Sequence, residues 1–158
     1  MDNYSFLNHV DARLGEFIIK YGFSLNNSFS QISPGFQNNL LMYESQQCRV
    51  QIYLEHYRVY IEISALNVSD PNLWYNVDMM ACFVSHTSPS VWIYNLPRGI
   101  PLSQVIEQQL VRWQKILESY FDKIIPLFAS KDRLYEMQKI LDVFVQDFYS
   151  EQKKISAK

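Results

Sequence analysis

Residues Leu41 to Ser64, LMYESQQCRVQIYLEHYRVYIEIS, restrict the possible folds of this chain more than any other stretch. Cys48, Val50, Ile52 and Leu54 alternate with Arg49, Gln51, Tyr53 and Glu55. Tyr57, Val59, Ile61 and Ile63 then alternate with Arg58, Tyr60, Glu62 and Ser64. A period of two among β-branched and aromatic residues marks strands with one buried face. A hairpin turning on Glu55-His56 pairs Leu54 with Tyr57, Ile52 with Val59, Val50 with Ile61 and Cys48 with Ile63. All the apolar side chains then share one side. On the other side Arg49 falls opposite Glu62, Gln51 opposite Tyr60 and Tyr53 opposite Arg58. A slip of one residue would turn a whole apolar set toward water, so the parity of the pairing is firmly set. Glu-His lacks the Asn-Gly or Asp-Gly chemistry of a two-residue turn, so a longer loop is the competing expectation.

Around this hairpin the chain reads as α+β. Phe6, Leu7, Val10, Leu14, Phe17, Ile18 and Tyr21 form an apolar stripe that predicts a helix from about Ser5 to Tyr21, with Gly22 placed to end it. Phe23 and Leu25 suggest a short strand. Asn26 to Asn39, rich in turn formers and holding Ser33-Pro34-Gly35, reads as a loop or ragged hairpin. Leu40 to Glu44 reads as a further strand. Asp70-Pro71 is a helix-start signal for one or two short helices through Leu73, Trp74, Val77, Met80, Ala81 and Val84. Val91 to Tyr94 suggests a short edge strand, and Pro97-Arg98-Gly99-Ile100-Pro101 a connector. Ile106, Leu110, Trp113, Leu117, Tyr120, Phe121 and Ile124 line a helix from Ser103 to Ile125, which Pro126 should end or kink. Leu134, Met137, Leu141, Phe144 and Phe148 mark a last helix capped by Ser130. Its spacing suits lengthwise packing on a neighbour. From about residue 150 the tail is polar and expected to fray. The expected architecture is a single domain: an N-terminal helix, a small antiparallel meander and a C-terminal helical pair packed on the sheet.

The 158 residues are enough for one core without a metal or disulfide. A formal charge of −2 lacks the basic footprint of a nucleic-acid binder. The N-terminus shows no signal peptide, and no window is apolar enough to span a membrane. Cys48 and Cys82 sit among apolar neighbours, as reduced buried thiols do in a cytoplasmic protein.

Catalytic signatures are missing. There is no GxGxxG, GxxxxGK[ST], GxSxG, HExxH or CxxC, and only four glycines are available to shape a phosphate-binding loop. His9, His56 and His86 are scattered. A metal site from His56 and His86 with Glu55 or Asp70, or an enzyme site from His86, Asp70 and Glu44, would need the fold to gather them. The less ordinary feature is the hairpin's polar side. Arg49, Tyr53, Arg58 and Tyr60 lie there, and Trp74 and Trp92 flank loops that border the same sheet. Tyrosine, tryptophan and arginine are enriched where one protein surface grips another. These six residues are the candidate partner-binding set; no cofactor or metal is expected.

Across about residues 6 to 148 the chain resembles small uncharacterised bacterial α+β proteins of the immunity and orphan type, found near toxin or defence loci. The resemblance rests on Lys20-Tyr21-Gly22-Phe23, the strand with Tyr43 and Ser45, and the Val50–Ile52 and Val59–Ile63 hairpin. It continues through Trp74-Tyr75-Asn76-Val77-Asp78, Gln108-Gln109-Leu110 and Ile125-Pro126-Leu127-Phe128. It implies a non-catalytic protein that binds one protein partner; the expected mechanism is steric occlusion of that partner by the sheet's outer face and neighbouring loops. A more distant similarity, to the acidic secretion chaperones, implies a homodimer.

Overall fold

The computed structural model describes residues 3–33, 36–66, 73–88, 94–97, 99–129 and 131–156. Helix α1 (Asn3–Lys20) leads into strands β1 (Ser24–Ser33), β2 (Phe36–Glu44), β3 (Cys48–Glu55), β4 (Arg58–Ala65) and β5 (Tyr75–Asn76). Helices α2 (Val77–Ser85), α3 (Leu102–Phe128) and α4 (Lys131–Ser156) follow. The five strands form one antiparallel meander in sequence order. The fold is therefore the expected α+β arrangement.

Alternation fixes which face is buried. Leu41 and Tyr43 of β2, Val50 and Ile52 of β3, and Val59, Ile61 and Ile63 of β4 all point into the core. They meet Phe6, Val10, Leu14 and Phe17 of α1 and Ile106, Leu110, Trp113, Leu117 and Phe121 of α3. Phe121 joins the two helices: its ring lies 4.7 Å from that of Phe17 and 4.6 Å from that of Tyr21, both near edge-to-face. Gly22 ends α1 as the sequence predicts. At φ 66° it lets Gly22 N–H reach Ile19 C=O and Phe23 N–H reach Ile18 C=O, a Schellman closure.

The central hairpin departs from the sequence-based register by two residues. Leu54 pairs with Val59, Ile52 with Ile61, Val50 with Ile63 and Cys48 with Ala65. The turn is His56-Tyr57, with φ 48° and 68°. Two successive left-handed residues make the primed turn whose twist suits a tight hairpin, here without the usual Asn-Gly. A shift of two keeps every side chain that stays in the strands on its face, so the buried set survives, Tyr57 apart, while its partners change. Tyr57 leaves the apolar face and is 63% exposed.

Other boundaries differ too. Asn26 to Ser33 and Phe36 to Asn39 belong to the paired strands β1 and β2, held by backbone pairing from Ser24↔Glu44 to Ser33↔Phe36. Trp74 precedes β5 and is not in a helix; α2 starts at Val77, where the Asn76 side chain accepts from Asp78 N–H at 3.0 Å. Asp70-Pro71 and Val91 to Ile93 lie outside the described residues, and Tyr94 is not in a strand. Helix α3 runs through Pro126 to Phe128. Pro126 has no N–H to offer the carbonyl four residues back, so the helix reaches Phe128 without that one ladder bond. In α4, Phe148 is buried and Phe144 packs 5.3 Å from Phe83 of α2; the helix continues through the polar tail to Ser156. The side chains of Leu134, Met137 and Leu141, and Ser130 as a whole, lie outside the described residues.

β5 covers β4 only at Glu62 and Ile63. Nearer the turn, α3 closes that edge with side chains. Gln109 Oε1 accepts from Val59 N–H at 3.0 Å, Gln109 Nε2 donates to Tyr57 C=O at 2.8 Å, and Trp113 Nε1 donates to Val59 C=O at 2.9 Å. A helix face thus stands in for a strand, and buried backbone groups stay paired.

Candidate functional site

The residues between the core positions of β2, β3 and β4 form the sheet's outer face. Pairing aligns them in rows: Leu40, Tyr53 and Tyr60; then Met42, Gln51, Glu62 and Asn76; then Glu44, Arg49 and Ser64. Arg49, Gln51, Tyr53, Glu55, Tyr60 and Glu62 are partly exposed, and Arg58 is exposed. Helices α1 and α3 occupy the opposite side of the sheet.

Tyr53 and Tyr60 sit directly across from each other and stack, centroids 5.0 Å apart and planes 20° from parallel. Tyr53 Oη donates to Glu62 Oε1 at 3.0 Å, and Gln51 Nε2 donates to Glu62 Oε2. Glu62 is thereby held by its own face, and the expected Arg49–Glu62 opposition is replaced. The two-residue shift puts Arg49 opposite Ser64, with its guanidinium 5.3 Å from the Trp74 ring centroid. Likewise Tyr53 faces Tyr60 instead of Arg58, and Gln51 faces Glu62 instead of Tyr60. Arg58 pairs with Glu55 across the turn, and its Nη1 donates to Tyr94 C=O at 3.4 Å.

The candidate set thus divides into two poles. Tyr53, Tyr60 and Arg58 gather near the turn; Arg49 and Trp74 meet at the far end. Arg49 and Tyr53 stand four residue rises apart along β3, about 13 Å at the usual rise. Trp92 lies outside the described residues. Burial raises the Tyr53 hydroxyl well above its ordinary pKa, and the Glu62 carboxylate beside it adds to the shift. Tyr60 is raised by burial as well, with Arg58 pulling the other way. Both rings are neutral hydrogen-bonding surfaces at physiological pH.

Tyr149, on α4, joins the margin of this face. It is 48% exposed, and burial raises its hydroxyl pKa, with smaller contributions from Glu62 and Tyr60. Nothing in the local sequence marks it, because it adjoins core Phe148 on a helix whose contact with the sheet is long-range. Tyr149, Arg58 and Tyr60 also line a cleft of about 400 Å³ whose walls include Tyr94 and a partly buried ion pair. There Arg112 Nη2 lies 2.8 Å from Asp78 Oδ1, with Trp113 and Tyr94 rings 4.9 and 5.5 Å from the guanidinium. Burial pushes Asp78 up to about 6 despite Arg112, which pulls it back down.

The catalytic alternatives do not assemble among the described residues. His86 is exposed and terminates α2 in a left-handed conformation at φ 55°, donating its N–H to Phe83 C=O. His56 occupies the turn, Glu44 accepts from Asn26 Nδ2 at 3.3 Å, and Asp70 lies outside the described residues. No group of three His, Cys, Asp or Glu side chains is placed to hold a metal ion among the described residues. Cys48 and Cys82 are buried free thiols; burial pushes Cys48 up to about 12, against a smaller lowering by Ser45. No described helix is long and apolar enough to cross a membrane.

The fold and this face define an α+β protein with α1 and α3 on one side of a meander and, on the other, a tyrosine–arginine surface whose margin Tyr149 of α4 joins. Comparison with protein-family models, curated proteins and solved structures finds no match to the chain.

Proposed function

We propose that this is a non-enzymatic protein-binding module of a bacterial cytoplasm, an immunity-type inhibitor that blocks one protein partner by covering it. The contact is the outer face of β3 and β4, with Tyr53, Tyr60 and Arg58 as its centre and Arg49 and Trp74 at its far end. The observation that carries this reading is the Tyr53–Tyr60 stack on the side of the sheet away from α1 and α3. Glu62 fixes one ring before any partner arrives, so little side-chain entropy remains to be lost on binding. Flat amphipathic rings with a flanking guanidinium are the residue types that dominate binding hot spots. A chain of net charge −2 favours a protein over a nucleic acid as the partner.

The test is affinity capture from a native bacterial extract with wild type, Tyr53→Ala and Tyr60→Ala, after circular dichroism shows that the variants fold. The wild type should retain a specific protein that both variants lose or hold at least about tenfold more weakly, the range of a hot-spot truncation. Equal recovery on all three baits removes this face from consideration.

A further inference from the structure

The sheet's two edges are finished differently. Side chains of α3 and the short β5 close the β4 edge. At the other margin β1 has β2 as its only sheet neighbour among the described residues, and it runs for ten residues. Its sequence, SLNNSFSQIS, contains no charged residue and no proline. Edge strands that remain unpaired are ordinarily kept short, charged, broken by proline or covered, since their free N–H and C=O groups template another strand. Here the interruption is a single irregularity between Leu25 and Asn27. Ser24, Leu25, Asn26, Asn27 and Ser28 are all exposed. On β1 itself a large apolar side chain also reaches solvent: Leu25, 43% exposed near the strand's start.

We propose that β1 pairs antiparallel with β1 of a second copy of this chain, about a two-fold axis near Ser28. The two meanders then join into one continuous ten-stranded sheet. The uncharged sequence is the argument for a second copy over a foreign strand. In a two-fold contact each residue faces another residue of the same strand, so any charge near the axis meets its own kind. A strand with no charge pairs with itself without that penalty. It also offers no charge by which to select a different extended segment. Strand pairing alone buries little of the roughly 1,200–2,000 Å² typical of stable interfaces. Leu25 of each copy adds apolar area on the paired strand. Continuity of the sheet would place two Tyr53–Tyr60 stacks on one surface; that consequence rests on the binding function proposed above, whereas the dimer itself does not.

Sedimentation velocity across micromolar concentrations tests the pairing on the purified full chain. Wild type should sediment as a dimer. The double variant Asn27→Lys/Ser28→Lys should self-associate at least about tenfold more weakly, with unchanged circular dichroism, because exposed lysines next to the axis face their own copies. Asn27→Asp/Ser28→Asp should behave alike. Mixing the lysine and aspartate chains should restore a dimer containing one of each. A monomeric wild type overturns the proposal, and so does a lysine variant as dimeric as wild type. Failure of the mixed chains to pair overturns it as well.

Discussion

Gln109→Leu isolates the device that closes the β4 edge. Gln109 is 3% exposed and bonds the backbone at Tyr57 C=O in the β3–β4 turn and at Val59 N–H just after it. Leucine keeps most of the volume and removes both polar ends. Val59 is itself 3% exposed, so its N–H cannot readily turn to water. A buried unsatisfied donor costs about 1–3 kcal/mol. Tyr57 C=O lies at an exposed turn and can be rehydrated, so losing that bond costs about 0.5–1.5 kcal/mol. New apolar contact from leucine offsets part of the sum, leaving a net loss of about 2–3 kcal/mol. For a chain of this length that lowers the thermal midpoint by about 5–10 °C. Urea unfolding should show the loss as a lower midpoint with unchanged slope. Hydrogen exchange at the Val59 amide should accelerate. Gln108→Leu, at the exposed neighbouring position, should change stability by less than about 0.5 kcal/mol and serves as the control. If Gln109→Leu falls within that same margin, the edge does not depend on this side chain and the reasoning fails.

Two further expectations concern strain and charge. Tyr57 holds φ 68°, a region that costs a side-chain-bearing residue about 1–2 kcal/mol. Tyr57→Gly removes that strain, retains the backbone C=O that Gln109 uses, and should raise unfolding stability by about 0.5–1 kcal/mol after glycine's greater unfolded freedom is subtracted. A loss of stability in urea unfolding would show that the ring contributes more than the backbone costs. Asp78 is harder to ionise folded than unfolded, pushed up to about 6 by burial. Between about pH 4 and 6 the folded chain keeps a proton that the unfolded chain releases, so this carboxyl's contribution to stability falls as pH rises, by about 2–3 kcal/mol. Urea unfolding of wild type against Asp78→Asn should show that differential fall across the window and a flat difference above it. A wild type that gains relative to Asp78→Asn as pH rises would reverse the sign and refute the burial argument.

Much of this architecture is legible in the sequence because apolar periodicity is a local property. The alternation from Cys48 to Ile63 identifies the faces of β3 and β4, and the stripe from Phe6 to Tyr21 identifies α1. The register is not legible to better than two residues. Face parity tolerates that shift, and the His56-Tyr57 turn adopts left-handed geometry without the residues that announce it. The full β1–β2 hairpin is obscured for a related reason: backbone pairing can hold Asn, Ser and Gln in strands, and those residue types show no apolar period. β5 is only two residues long, too short to show a period, so Trp74 and Tyr75 read as the first turn of a helix. In the site, Tyr53, Tyr60 and Arg58 come together because all lie on one hairpin. Tyr149 arrives from α4, and no local pattern reports a contact made across the chain. Gln109 did leave a trace: a polar residue inside the stripe of Ile106, Leu110 and Trp113, where an unpaired amide would be costly.

Site-specific photo-crosslinking in living cells tests the central claim most directly. With p-benzoylphenylalanine replacing Tyr60, and in a separate chain replacing exposed Lys115 on α3, the reading predicts one discrete protein adduct from position 60 and none from position 115. No adduct at position 60, or the same adduct from both positions, would contradict a binding role for the outer face.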